Sequence, residues 1–278
     1  MHGAQPLHPG LKPYPGYRLR QFVGRGGFSE VWEAEVEGGS RVALKFMPCD
    51  SGAVAAREIR SIQKMRQLEH PNLLRIDKIW CYENHIVMAM ELADADLDDL
   101  FEVYQEEFGT PVPVEQVCMY LTQAASALDF LNARQHRIDG RLVSFQHCDV
   151  KPGNMLLFGD TIKVADFGLS VQTSAARQSF QKAGTVAYAA PEAFEGQVSN
   201  HSDQYALAVS YCWLRGARLP FPLADSFSPV ALRNRPPADL SMLSADERPI
   251  IARALSRAAV DRWPSCSELM RRLCQVLP

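Results

Sequence analysis

His147-Cys148-Asp149-Val150-Lys151-Pro152-Gly153-Asn154, followed shortly by Asp166-Phe167-Gly168, is the stretch on which the reading of this chain turns. Pro152 and Gly153 interrupt any regular element, so Asp149 and Asn154 are expected on one irregular loop. Met155-Leu156-Leu157-Phe158 and the run Thr161 to Ala165 then read as two short strands joined at the Gly159-Asp160 turn, leaving Asp166 at a strand end. Carboxylate and amide oxygens are the hard ligands that a nucleotide-bound magnesium ion takes, which suits Asp166 and Asn154. Asp149 is left to orient an incoming hydroxyl, and Lys151 to neutralise a phosphate in transfer. Singly these residues are bland: Asp-Phe-Gly is ordinarily a turn, and a histidine such as His147 is ordinarily packed or hydrogen-bonded. Their ordered grouping is what argues for chemistry.

Upstream, from Tyr17 to Met47, short runs rich in Val, Phe, Leu and Trp are broken by Gly24-Arg25-Gly26-Gly27 and by Gly38-Gly39, the pattern of three antiparallel strands joined by tight turns. The turn from Gly24 to Val31 has few side chains in the way and offers backbone N–H donors to phosphates, although two spaced glycines before a strand, taken alone, more often mark an ordinary hairpin. Val42-Ala43-Leu44-Lys45 ends a strand on a lysine long enough to reach such phosphates. Ala55, Ile59, Ile62 and Met65 recur at helical spacing between Gly52 and Leu68, and His70-Pro71 closes that segment. Glu58 shares a face with Ile62 and Met65. A buried acid is costly unless paired, which predicts a Lys45–Glu58 ion pair.

Leu73 to Ile79 and His85 to Leu92 return to strand-like composition, whereas Val114 to Leu131, Asp203 to Leu214, Ala245 to Ser256 and Ser265 to Val276 carry helical periodicity. The chain therefore reads as α+β. A strand-rich lobe with one helix covers about 17–92, a larger and mainly helical lobe covers 93–278, and a hinge lies near Glu91 to Asp94. Residues 1–16, rich in Pro, Gly and His, read as a flexible leader.

With 278 residues, 47% of them hydrophobic, and a net charge of only -3, the chain can bury a substantial core but offers no basic footprint for nucleic acid or anionic lipid. The seven scattered cysteines have no Cys-x-x-Cys spacing and fit reduced thiols in the cytoplasm better than a disulfide framework or a zinc site. No apolar run approaches bilayer length, so no membrane association is expected of this chain. Nothing in the pattern specifies an oligomeric state.

In their order and spacing, the motifs resemble the catalytic domain of a eukaryotic-type (Hanks-type) serine/threonine protein kinase across nearly everything from Tyr17 onward. The resemblance implies a bilobal protein-kinase fold. It also implies transfer of the γ-phosphoryl group of ATP to Ser or Thr hydroxyls of protein substrates, with Mg2+ as cofactor and Mn2+ as an alternative. Gly24, Gly26, Gly27 and Val31 would then belong to the nucleotide loop, and Lys45 would be the nucleotide lysine with Glu58 as its helix partner. Met90 would be the gatekeeper. Glu91 and Ala93 would offer backbone bonds to adenine, Val31, Ala43 and Leu156 would flank the ring, and Asp96 would hold the ribose. Asp149 and Lys151 would be catalytic, and Asn154 and Asp166 would hold the metal. His147 and Phe167 would stack with Ile62 and Ile76, while Gly168 completes the magnesium motif. Gly184-Thr185 would be the substrate-side loop, and Ala190-Pro191-Glu192 would close the activation segment. Glu192 would pair with Arg262, and Asp203 would brace the catalytic loop. Lys151, two positions after Asp149, resembles the serine/threonine branch.

Three features depart from the family pattern. Ser29 replaces the third loop glycine, adding a Cβ and a hydroxyl near the phosphates. Cys148 stands where the family has an arginine that pairs with an activation-segment phosphate, and a thiol cannot make that pair. Activity is therefore expected not to require activation-segment phosphorylation, although Ser170, Thr173, Ser174, Ser179 and Thr185 offer hydroxyls there. Asn132 to Gln146 forms an apparent insertion that reads as an added hairpin around Asp139-Gly140, either a tolerated surface loop or a docking element. The acids Asp94, Asp96, Asp98 and Asp99 read as a helix start, while the resemblance of Asp96 to the family's ribose-holding position implies a preference for Arg or Lys N-terminal to the target hydroxyl.

Two alternatives stay open. A pseudokinase or scaffold would keep the fold without the chemistry, yet Lys45, Glu58, Asp149, Lys151, Asn154 and Asp166 are all present. A small-molecule phosphotransferase shares the His-x-Asp-x-x-x-x-Asn loop but not the long segment from Asp166 to Glu192.

Overall fold

The computed structural model describes residues 6–27, 29–49, 52–138, 140–166, 171–172, 186–222 and 235–277. Phe167, Gly168, Thr185 and the hydroxyls of Ser170, Thr173, Ser174 and Ser179 lie outside the described residues. The chain divides into two compact units, one of Met1–Glu69 with Leu74–Ala93, the other of His70–Leu73 with Asp94–Pro278.

The first unit holds strands β1 (Tyr17–Gly26), β2 (Ser29–Val36), β3 (Arg41–Pro48), β4 (Ile76–Tyr82) and β5 (His85–Met90), with helix α1 (Gly52–Met65) after β3. The strands form one antiparallel sheet in the order β1-β2-β3-β5-β4. Two-residue alternation sorts the side chains: Trp32 and Ala34 on β2 and Leu44 and Phe46 on β3 are buried in one cluster with Leu19, Trp80, Val87 and Ala89. The β2–β3 turn needs its two glycines, because Gly38 and Gly39 have φ of 104° and 88°. β4 starts at Ile76, later than its composition predicts. Leu73 instead bridges Val164, and Asn72 accepts the Val164 N–H at 2.8 Å within the second unit.

Residues 6–16 are not a free leader. Leu7, Leu11, Tyr14 and Tyr17 pack against the buried sheet cluster. The backbone is tied by Gly10 N–H to Leu19 O at 2.8 Å and Leu19 N–H to Leu11 O at 2.9 Å, and Trp80 Nε1 donates to Pro13 O at 3.2 Å. Lys78 Nζ stands 3.5 Å from the centre of the Tyr14 ring. The Pro and Gly content that reads as disorder here makes turns, with Gly10 and Gly16 at φ of 91° and 84°, and those turns aim apolar side chains at the sheet.

The second unit contains helices α2 (Leu97–Phe108), α3 (Val114–Asn132), α4 (Ser202–Gly216), α5 (Glu247–Ala254) and α6 (Cys266–Cys274). α4 is its central element, with Tyr205, Leu207, Ala208, Val209, Tyr211 and Cys212 all at 1% exposure or less, so it is apolar nearly all round. β6 (Ala95–Asp96) pairs with β10 (Met155–Phe158), which pairs with β11 (Thr161–Val164). The predicted hairpin after α3 is present as β7 (His136–Ile138) and β8 (Arg141–Val143), anchored by His136, whose Nε2 bonds Phe130 O at 2.7 Å. β9 (Phe145–Gln146) pairs with β12 (Val171–Gln172). Among the described residues no helix is long and apolar enough to cross a membrane.

Candidate active site

The loop from His147 to Asn154 lies between β9 and β10 and is gripped from α4. Asp203, 1% exposed, accepts the His147 N–H on Oδ2 at 2.8 Å and the Cys148 N–H on Oδ1 at 2.9 Å. Complete burial pushes the Asp203 pKa up, against those two donors. Consecutive N–H groups can converge on one carboxylate because Cys148 adopts φ of 64°, a left-handed conformation that costs a non-glycine residue about 1–2 kcal/mol. The Cys148 thiol turns back to Gln146 O at 3.5 Å.

His147 is fully buried. Its Nε2 lies 2.8 Å from Ala165 O, which can only accept, and its Nδ1 accepts the Asp149 N–H at 3.3 Å. The ring therefore carries its proton on Nε2 and joins the loop to the end of β11. Asn154 completes the loop: its Nδ2 donates to Asp149 O at 2.7 Å and to Asp149 Oδ2 at 3.0 Å, while its own carbonyl accepts the Ala165 N–H at 2.8 Å. Lys151 Nζ is 3.3 Å from the same Asp149 Oδ2. The other oxygen, Asp149 Oδ1, is buried and has no hydrogen-bond donor.

With Nδ2 spent on Asp149, Asn154 retains a carboxamide oxygen, a hard donor that fits magnesium. Asp166 follows directly on Ala165 at φ of 68°, the second left-handed residue at this end of the unit. The structure thus brings His147, Cys148, Asp149, Lys151, Asn154 and Asp203 into one bonded group, with Asp166 next in chain to it.

Glu192 and Arg262 are also brought together, with Arg262 Nη1 and Nη2 each 2.7 Å from one carboxylate oxygen. Burial works to raise the Glu192 pKa, but Arg262 and the Ser202 hydroxyl outweigh it and hold the carboxyl below its ordinary value. Asp96 is the N-cap of α2, taking the N–H groups of Asp98 and Asp99 on Oδ1 at 2.8 and 2.9 Å. Its burial raises its pKa to about 6, with Asp99 and Asp98 adding to the effect.

The first unit supplies the remaining candidates. Gly24 and Gly26 pair across the β1–β2 turn with Val31 and Ser29, and Gly27 has φ of 56°. The Ser29 hydroxyl is consumed inside the turn, donating to Gly26 O at 2.8 Å. Lys45 lies on β3 opposite Val31 and Met88, Ala43 opposite Met90, and the Glu91 carboxylate accepts the Arg75 N–H at 3.0 Å. Glu58 is on α1, half-buried beside the buried Ile62 and Met65. Leu156 belongs to the second unit, paired with Asp96 and Lys163.

Sequence reasoning missed the surroundings of Asp98. Trp213 Nε1 donates to its Oδ1 at 3.2 Å, and a Cβ added at Gly153 would come 3.0 Å from its Oδ2. Burial raises the Asp98 pKa despite Trp213 and the Gly153 N–H. The glycine within Lys151-Pro152-Gly153-Asn154 was the available signal, since a glycine there marks a close approach.

The family model described as protein kinase domain matches residues 17–277. The chain belongs to the protein kinase family. This kinase is 32% identical to CBL-interacting protein kinase 4 of Oryza sativa subsp. japonica over 216 residues, 74% of this chain and 45% of that protein. It is 29% identical to serine/threonine-protein kinase PknF of Mycobacterium tuberculosis over 282 residues, 94% of this chain and 56% of that protein. The kinase thus spans about half the length of these curated relatives. Its fold matches the crystal structure of the PknI kinase domain of Mycobacterium tuberculosis, with a TM-score of 0.69 and 27% identity over 98% of this chain and 99% of that one. The α+β protein-kinase fold and kinship with serine/threonine kinases are thereby shown.

Proposed function

We propose that the chain transfers the γ-phosphoryl group of ATP to serine or threonine hydroxyls of protein substrates. The observation that carries this reading is the divided state of the Asp149 carboxylate: Oδ2 is held by Asn154 and Lys151, and Oδ1 is buried without a donor. A substrate hydroxyl would be that donor, so Asp149 orients the nucleophile and takes up its proton as the O–P bond forms. Lys151 supplies positive charge beside the same carboxylate, where charge moves during transfer. Asn154 Oδ1 and Asp166 would hold magnesium, which when bound neutralises the charge on the nucleotide phosphates. In the same reading Gly24, Gly26, Gly27, Val31, Ala43, Lys45, Glu58, Met90, Glu91, Ala93, Asp96 and Leu156 serve the nucleotide. Its dispersed thiols fit a reducing, cytoplasmic setting.

Cys148 supports a further part of the proposal, that activation-segment phosphorylation is not needed for activity. A thiol has no charge-assisted fork for a phosphate, and this one is turned to Gln146 O. The loop is ordered instead by Asp203. The experiment is transfer from labelled ATP to the chain and to generic proteins, with Asp149→Asn as control. Transfer confined to small alcohols would overturn the reading. For the second part, joint replacement of Thr173, Ser174 and Ser179 by Ala should leave kcat within about tenfold, and a larger loss would sink it.

A further inference from the structure

Within the second unit, Arg235 reaches the end of the activation segment from a stretch that phosphoryl transfer itself does not use. Its Nη2 donates to Val186 O at 3.4 Å, and its Nη1 donates to the Tyr205 hydroxyl at 3.4 Å. Both bonds are long, and aromatic rings also set the place of the guanidinium: Cζ lies 5.1 Å from the centre of the Phe221 ring and 5.8 Å from that of Phe194. Phe221 is stacked on Tyr205 in turn, with ring centres 6.2 Å apart and planes 5° from parallel. The backbone near Arg235 is tied down independently, since the Asp239 N–H donates to Pro220 O at 2.8 Å. Val186 is only 3% exposed, and its carbonyl takes a second donor, the Ala189 N–H at 3.3 Å, ahead of Ala190-Pro191-Glu192. At the far end of this stretch Glu192 is held by Arg262, whose Cζ stands 5.0 Å from the centre of the Tyr205 ring. Two guanidinium groups therefore share one buried tyrosine of α4 and hold the two ends of the stretch from Val186 to Glu192.

We propose, building on the function above, that Arg235 is a positioning residue for the protein substrate. It touches neither the nucleotide nor the reacting atoms. It fixes Val186, the residue next in chain to the Gly184-Thr185 pair that the family resemblance marks as the substrate-side loop, and so sets where the acceptor segment is received. The planar fork of an arginine is what the geometry uses, because two of its nitrogens reach two different oxygens at once while its face stays against aromatic rings. Because this cation is part of the fold, the anchoring needs no phosphate, in keeping with a loop that carries Cys148 in place of a phosphate-binding arginine.

The test compares wild type, Arg235→Ala and Arg235→Lys, with dephosphorylated casein and myelin basic protein as acceptors. In Arg235→Ala the KM for the acceptor should rise about tenfold, as for the loss of one hydrogen bond from a charged donor, while the KM for ATP stays within about twofold. Arg235→Lys keeps the charge and most of the stem, yet an ammonium cannot hold both oxygens, so a rise of about threefold or more should remain. Amide hydrogen exchange reads the anchoring without any activity: a peptide covering Val186 to Glu192 should exchange about tenfold faster in Arg235→Ala, and one covering His147 to Asn154 should be unchanged. Unchanged exchange from Val186 to Glu192, an unchanged acceptor KM, acceptor and ATP KM values that rise together, or full recovery by Arg235→Lys would overturn the proposal. A wild type that labels neither protein would count against phosphoryl transfer to proteins instead, and the exchange result would still decide for or against Arg235.

Discussion

Asp203 Oδ1 accepts the backbone N–H of Cys148 at 2.9 Å across 55 positions of sequence, and this bond helps to hold Cys148 at φ of 64°. A helix thereby enforces a loop conformation that a non-glycine residue does not favour. Asp203→Ala strands the N–H groups of both His147 and Cys148 in a buried site. The expected cost is about 2–5 kcal/mol, read as a Tm lower by roughly 5–15 °C.

Asp149→Asn keeps the shape of the side chain and removes its capacity to accept a proton. It should lower kcat by about 10²-fold or more, while ATP affinity and Tm stay near the wild-type values. Equilibrium nucleotide binding beside steady-state kinetics checks this. A parallel loss of ATP binding would mean that Asp149 serves nucleotide placement instead.

Arg262→Ala leaves the Glu192 carboxylate in a largely buried site without its bidentate partner, and should destabilise the fold by about 3–5 kcal/mol. The pH dependence has a definite sign. The folded-state pKa of Glu192 is depressed, so the stabilisation from pairing is present above the ordinary glutamate pKa and is lost as pH falls through the depressed value. Unfolding curves of wild type and variant should therefore converge on acidification.

Asp96→Asn preserves an N-cap side chain of equal quality and removes a charge that burial disfavours. The folded pKa is raised to about 6, so the ionised form opposes folding and protonation relieves it. The Tm of the variant should exceed wild type at pH 7.5. That advantage should fade as pH drops through about 6 and vanish near 4. A raised KM for ATP in the same variant would support the ribose role.

The residues that announce themselves in sequence are those whose chemistry demands a fixed local spacing. Asp149, Lys151 and Asn154 lie within six consecutive positions, and the loop that groups them is as local as their order implies. Helices α3 and α4 were legible for a related reason, since long apolar periodicity survives ignorance of what it packs against. Glu192 and Arg262 are 70 residues apart, and only the family resemblance joined them. Helix α2 was visible only as its acidic start, because its later turns expose Val103 and Phe108 and blur the apolar stripe. Residues 6–16 were misread because Pro and Gly mark both disorder and tight turns, and composition does not separate the two.

That last segment changes where the molecule can be cut. The family match begins at residue 17, and trimming there looks harmless from an alignment. It would strip Leu7, Leu11 and Tyr14 from the sheet and bare part of the face formed by Leu19, Trp32, Phe46 and Trp80. An oily, flat patch of that kind invites self-association. A shortened chain that precipitates would thus report a missing cover and not a defective catalytic centre.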